Sequence, residues 1–211
     1  MNLLKHPRVR AILDNPFLFN SVRWLLAGSQ DVTRRLLVEK MALTETDRLL
    51  DVCCGTGDFA MLVPGGYVGL DLNERFVRFA WHRYVGYAKK CFLVADATRA
   101  SFAPWAFDKA FFLSSLHHFS DDQVRLIMRE MARVTRGLVA ITDLLADVPH
   151  PVKRFFALLD RGDYVRSLTA KRALLEETFI VEKCQVFESR LAVQALFICR
   201  PKTAHGQAKD G

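Results

Sequence analysis

Along the chain, short apolar runs alternate with stretches of helical period. Leu49-Leu50-Asp51-Val52 is nearly continuous in apolar character, as a strand buried on both faces would be. It enters the turn Cys53-Cys54-Gly55-Thr56-Gly57-Asp58. Residues 67–71, 91–96, 107–114 and 138–144 repeat the strand pattern. Between them, Asn73 can cap a helix from Glu74 to about Tyr87, with Lys89 and Lys90 near its negative end. Ser120-Asp121-Asp122-Gln123 forms a capping box. It precedes a helix whose Val124, Ile127, Met128 and Met131 share one face, and Arg136-Gly137 closes it. That Met-bearing stripe reads as core, not as a cofactor box. After the first strand, Pro64-Gly65-Gly66 leaves room for only a short helix, with Asp58 just inside its start. Residues 98–106 read as a loop or a single helical turn. Residues 179–188 and 190–200 read as two closing strands, near enough in sequence to form a hairpin. Regular alternation of strand and helix predicts an α/β fold with a doubly wound parallel sheet.

The first 42 residues read as an N-terminal helical extension. Asn15 can cap a helix with Pro16 at its first position, and Phe17, Leu18, Val22, Leu25 and Leu26 make a broad apolar stripe. Three uses suit it: packing on the sheet, a lid over the ligand site, or a helix lying on an anionic membrane beside Arg8, Arg10 and Arg23. Ser29 is expected to cap a second helix running to about Met41, with Asp31 and Lys40 complementing its dipole and Leu36, Leu37 and Met41 facing the core. Residues 147–177 carry Pro149, Pro151 and the basic, aromatic stretch Lys153-Arg154-Phe155-Phe156. The tail, 201–211, is polar and reads as disordered. With no repeat or linker, residues 1–200 are expected to form one domain.

Composition changes this picture little. The chain has 211 residues, 51% hydrophobic and 25% charged, which is ordinary for a globular protein. No apolar run reaches the roughly 18 residues that span a bilayer, and the N-terminus lacks a signal-peptide layout. The five cysteines include an adjacent pair and no CxxC spacing, so neither a disulfide framework nor a metal site is expected, and a reducing cytoplasm is the default compartment. A net charge of +7 favours an acidic partner: nucleic acid, an anionic membrane surface or an anionic substrate.

Gly55-Thr56-Gly57-Asp58-Phe59-Ala60 also fits the dinucleotide fingerprint, so the glycines alone do not identify a cofactor. The acids narrow the choice. Asp51, Asp58, Asp71 and Asp96 would gather at the C-terminal edge of neighbouring parallel strands, where open α/β sheets bind ligands. Such a cluster repels a pyrophosphate and suits a ligand with an ammonium, a sulfonium and a ribose diol, which is S-adenosylmethionine.

The run 50–60, Val68-Gly69-Leu70-Asp71-Leu72, Ala95-Asp96-Ala97 and Phe107-Asp108-Lys109-Ala110-Phe111 resemble class I methyltransferases in sequence and order, over roughly residues 40–145. The opening motif looks most like that of quinone-ring methyltransferases, with Cys53 where the family pattern has glycine. The resemblance implies a Rossmann-like, seven-stranded sheet whose last strand is antiparallel. It also implies that Asp71 accepts from both ribose hydroxyls and that Asp96 reads the adenine amino group beside the Ala97 backbone. Leu72 and Ala97 would flank the base. Asp51 and the Ser114 carbonyl would face the methionine end, with Cys53, Gly55 and Gly57 in the loop beside it.

In similar enzymes the segment after the fifth strand shapes the acceptor pocket. His117, His118 and Asp143, at the ends of the fourth and fifth strands, are candidate bases for a hydroxyl or acidic carbon acceptor. Arg161, Tyr164 and Arg166 are candidates for holding an anionic group. The family's amino-methylating members that act on nucleobases carry a proline-rich signature where this chain has Ser114-Ser115-Leu116-His117, so nucleic acid is a poor acceptor despite the charge. The expected acceptor is a small, apolar or lipid-like molecule methylated on oxygen or carbon, with peripheral contact to an anionic membrane as an accompanying expectation. An RNA- or DNA-directed methyltransferase, a non-catalytic S-adenosylmethionine-binding protein and an NAD-dependent oxidoreductase are the alternatives. Oligomeric state is open.

Overall fold

The computed structural model describes residues 15–28, 30–148, 162–190 and 192–202. In chain order the elements are α1 (Pro16–Ala27), α2 (Asp31–Met41), β1 (Arg48–Val52), β2 (Gly66–Asp71), α3 (Glu74–Arg83), β3 (Lys90–Val94), β4 (Lys109–Leu113), α4 (Asp121–Val134), β5 (Val139–Leu144), α5 (Leu168–Glu176), β6 (Phe179–Ser189) and β7 (Ala192–Pro201). The strands form one seven-stranded sheet in the order β3-β2-β1-β4-β5-β7-β6. β1 to β5 pair in parallel, and β7 runs antiparallel to both β5 and β6. From β1 the chain winds out to β3 and then returns to β4 on the other side. A crevice therefore opens at the C-terminal ends of β1 and β4, the switch point where such sheets bind ligands.

Alternating side chains divide the core between the two faces. Leu50, Val52, Phe112 and Ile141 face the cluster under α4 and α5, with Val124, Ile127, Met128 and Met131 of α4 buried in it. Leu49, Phe111 and Ala140 face the other side, under Leu36, Leu37 and Met41 of α2 and Val77 and Ala80 of α3. Both faces of the central strands are dry, which is why β1 carries no alternation of polar residues. The capping box of α4 forms, with Gln123 N bonded to Ser120 Oγ at 3.4 Å and Ser120 N bonded to Gln123 Oε1 at 3.0 Å.

Several boundaries differ from the sequence reading. No α-helix follows β1: the chain turns through the glycines and makes only a 3₁₀ turn, Ala60–Leu62, because Pro64 follows so soon. Asp58 sits in the glycine turn ahead of it and not in a helix. α3 stops at Arg83, so Lys89 and Lys90 lie beyond it, and Lys90 opens β3. α4 ends at Val134 rather than at Arg136. The position before α2 is filled by Gln30, which makes no side-chain cap bond, and the expected cap Ser29 lies outside the described residues. α5 was not read from the sequence at all; Ser167 caps it by accepting from Ala170 N at 3.1 Å. Arg8, Arg10, residues 149–161 and residues 203–211 also lie outside the described residues. Among the described residues, no helix is long and apolar enough to cross a membrane.

Candidate active site

The loop after β1 is held open by backbone that most residues avoid. Cys53 has φ +58° and Gly57 φ +74°, and Ser114 at the end of β4 has φ +52°. For Cys53 and Ser114 the left-handed region costs roughly 1–2 kcal/mol each, strain of the kind stored at binding edges. The glycine of the family pattern would be unstrained at Cys53. Gly57 is required by space as well: a Cβ there would lie 2.8 Å from the Phe92 ring, and Tyr84 donates its hydroxyl to the Gly57 carbonyl at 2.8 Å.

Asp71 holds this loop to β2. One carboxylate oxygen accepts from Gly55 N at 2.9 Å, the other from Asn73 N at 2.8 Å. Burial raises its pKa, and those N–H groups oppose the rise. Asp51 lies deeper, buried, and accepts from the Tyr67 hydroxyl at 2.6 Å. Burial, with the charges of Asp71 and Asp58 adding, lifts its pKa to about 7 against the Tyr67 bond. Asp96 is exposed at the end of β3, where it caps the turn Ala97–Arg99 and accepts from Thr98 N at 2.8 Å. The bonds from Thr98 lower its pKa. Leu72 is exposed and Ala97 buried, so Asp71, Leu72, Asp96 and Ala97 share the edge formed by the ends of β2 and β3.

α1 lies across the loop, with much of its apolar stripe turned away from it. The stripe residues Phe17 and Leu25 are 71% and 57% exposed, Phe17 in edge contact with Phe79 on α3. The inward residues are Phe19, Asn20 and Arg23. Phe19 packs on Phe76 of α3 with centroids 4.8 Å apart, and Asn20 Oδ1 accepts from Thr56 Oγ1 at 3.1 Å. Arg23 pairs with Asp58 at 2.5 Å, and Arg83 pairs with the other oxygen at 2.8 Å. Burial would raise the Asp58 pKa, but these two guanidiniums outweigh it and hold the carboxyl low. Arg23 therefore faces the loop instead of a membrane. Beneath α1, a cavity of about 90 Å³ is lined by Arg23, Asp51, Gly55, Asp58 and Ser114, among others. Arg23, one of these lining residues, has its Nε buried with no hydrogen-bond partner.

On the far side of Ser114, the turn Leu116–His118 places His117 in the interior and His118 at the surface. His117 Nδ1 lies 2.5 Å from Asp143 Oδ1, and Lys171 Nζ pairs with Asp143 Oδ2. Asp143 and Lys171 are both fully buried. Burial pushes the Asp143 pKa up, but His117 and Lys171 reverse this and lower it. The Lys171 pKa is lowered by burial, with Asp143 opposing. Lys171 escaped the sequence reading, although it occupies the apolar stripe of Leu168, Leu174 and Leu175, a position that a cation takes only when paired. The chain at Gly162 presses on the ring edge opposite Nδ1: a Cβ there would come 2.2 Å from His117 Cδ2. Tyr164 donates its N–H to the His117 carbonyl at 3.0 Å and is half exposed. Arg166 differs from expectation. Its guanidinium bonds Asp121 at 2.6 and 2.9 Å and the carbonyls of Leu116, Phe119 and Tyr164, which fixes this segment and leaves it a poor anion clamp. Arg161 lies outside the described residues.

The glycine loop, the strand-end acids and the sheet order coincide with a known family. Residues 49–137 match the methyltransferase domain family. An O-methyltransferase (rstn1) from Aspergillus nomiae is 30% identical over 152 residues, 64% of this chain and 67% of its own length. The chain belongs to the class I S-adenosylmethionine-dependent methyltransferases. A 2-phytyl-1,4-naphtoquinone methyltransferase from Thermosynechococcus vestitus is 32% identical over 55% of this chain, which spans about half of that relative, 54%. In three dimensions, a protein from Pyrococcus horikoshii OT3 superposes with a TM-score of 0.70 at 22% identity, covering 82% of this chain and 89% of its own. Methyltransferases solved with S-adenosylhomocysteine share the fold. The cofactor of this methyltransferase is S-adenosylmethionine. Its residues fit that group: carboxylates for cationic and hydroxyl groups, and an arginine among the cavity's lining residues with one guanidinium N–H unpartnered.

Proposed function

We propose that this methyltransferase alkylates an oxygen or carbon of a small, apolar acceptor, with His117 receiving the acceptor's proton. The observation that carries the reading is the Asp143 carboxylate on His117 Nδ1, at the strand ends, with Ser114 and Ser115 of the same β4 exit lining the cavity. An ionised carboxylate accepts from Nδ1–H, so the tautomer it selects has its basic nitrogen at Nε2, and the imidazolium formed on proton uptake is stabilised. Asp143 thus acts through His117 as an orienting group. His118, at the surface, is the weaker candidate.

When bound, the cofactor supplies a methyl group on a sulfonium. Asp71 would hold its ribose hydroxyls, Asp96 and Ala97 its adenine with Leu72 against the base, and Asp51 with the loop residues Cys53, Gly55 and Gly57 its amino-acid end beside Ser114. Tyr164, next to His117, would border the acceptor. Two relatives bear names that specify O-methyl transfer and a naphthoquinone, which supports an oxygen or ring-carbon acceptor of apolar character. An apolar acceptor offered from an anionic bilayer is supported by the outward face of α1, where Phe17, Trp24 and Leu25 are exposed and Arg190 lies 4.8 Å over the Trp24 ring.

Methyl transfer from labelled S-adenosylmethionine to a panel of phenols, quinols and amines, in detergent and in phosphatidylglycerol vesicles, tests the reading. Phenolic or quinol products are expected, with higher turnover from vesicles. His117→Gln should lose about a hundredfold or more in turnover while keeping cofactor affinity. Exclusive methylation of amines, or undiminished turnover in that variant, refutes it.

A further inference from the structure

The amino-acid end of the cofactor is a zwitterion, so its subsite needs a cation as well as acids. Asp51 lines the cavity under α1 and suits the ammonium, whereas Asp58 is already held by Arg23 and Arg83. Among the described lining residues the cationic side chain is Arg23, which comes from outside the sheet and reaches in from α1. Its Nη2 is used twice, by Asp58 at 2.5 Å and by Asn20 Oδ1 at 3.3 Å. Its Nε is buried and makes no hydrogen bond. A buried charged donor without an acceptor is costly, and such groups are rare unless an anion completes them. The cavity of about 90 Å³ is large enough for the few polar atoms of an amino-acid headgroup and too small for the nucleoside. The ribose-side acid, Asp71, stands at the outer end of the same loop, bonded to Gly55 N. A cofactor with its ribose there would direct its amino-acid end along Gly55 toward Arg23.

We infer that Arg23 anchors the carboxylate of the cofactor's methionine end, making α1 part of the cofactor site. The inference rests on S-adenosylmethionine being the cofactor. α1 reaches the loop through three side chains, Phe19, Asn20 and Arg23, and ends at Gly28, whose N–H caps it on Trp24 O at 2.8 Å. Filling the orphaned N–H therefore also fastens this helix over the loop. The anchor is the carboxylate alone, since the adenosine moiety carries no anion.

The test compares two ligands that share the nucleoside: S-adenosylhomocysteine, which has the amino-acid end, and 5′-methylthioadenosine, which lacks it. Titration calorimetry on the full chain, wild type and Arg23→Gln, reads both affinities. Arg23→Gln should weaken S-adenosylhomocysteine by at least about tenfold, as loss of a charge-assisted hydrogen bond does, and change 5′-methylthioadenosine by less than about twofold. Arg23→Lys keeps the charge and loses Nε–H, and should recover part of the loss. Equal weakening of both ligands, or of neither, overturns the inference, because it makes Arg23 a packing residue of α1. If wild type binds neither ligand, the cofactor assignment itself has failed, and that result is separate from any effect of the variant.

Discussion

Asp51 should make both stability and cofactor binding depend on pH in the neutral range, and Asp51→Asn isolates the effect. The carboxyl is buried, held by the Tyr67 hydroxyl at 2.6 Å and flanked by the charges of Asp71 and Asp58. Its pKa rises from the ordinary 3.8 to about 7, with burial as the largest cause. Between those two values the folded protein holds a proton that the unfolded chain releases. Stability is therefore highest where Asp51 is protonated in both states, falls as pH rises through this window, and levels off above about 7. At about 1.4 kcal/mol per pH unit the whole gap corresponds to about 4 kcal/mol, of which about 2–3 kcal/mol falls between pH 5 and pH 8. Asparagine keeps the shape and still accepts from Tyr67, but does not titrate. Urea denaturation of both proteins at pH 5 and pH 8 should show the variant gaining up to about 2–3 kcal/mol relative to wild type at the higher pH, and groups away from Asp51 cancel in the comparison. Relaxation around Asp58 and Asp71 reduces this figure, so a gain above about 1 kcal/mol agrees with the reasoning. Parallel pH dependence, within about 0.5 kcal/mol, refutes it. In wild type the cofactor's cationic groups favour the ionised carboxylate, so binding should release a proton and tighten as pH rises from 6 to 8. Calorimetry in two buffers of different ionisation enthalpy reads that proton directly.

Asp71→Ala removes the acceptor proposed for the ribose diol and the tether of Gly55 N; S-adenosylhomocysteine affinity should fall by at least about tenfold in a protein that still folds, and an unchanged calorimetric titration would place the ribose elsewhere. Lys171→Met leaves Asp143 buried with His117 alone as partner, and breaking a fully buried pair should cost roughly 3–5 kcal/mol in urea denaturation; a loss below about 1 kcal/mol would mean that Asp143 is compensated without Lys171.

Composition and order along the chain determined the strands, the glycine turn and the cofactor. An apolar run without alternation forms a strand buried on both faces wherever it sits, and acids at the ends of successive strands meet once those strands pair in parallel. The placement of Asp51, Asp71 and Asp96 at neighbouring strand ends was therefore legible from the sequence, as were the capping box at Ser120 and the core stripe of α4. At α1 periodicity marked an apolar stripe without deciding what covers it. Phe19, Asn20 and Arg23 turn inward, because the surface α1 meets is a polar loop bearing Asp58 and Thr56. Lys171 was illegible for a related reason. A lysine in an apolar helical stripe makes sense only when a strand distant in sequence supplies a carboxylate, and α5 and β5 are joined by a long connection that fixes no register between them. The same holds for Arg166, which the sequence offered as an anion clamp and the fold spent on Asp121 and three carbonyls. Local pattern decides which residues form an element and which face is apolar. Which charged side chain meets which depends on packing between elements far apart in the chain, and only the tertiary structure decides that.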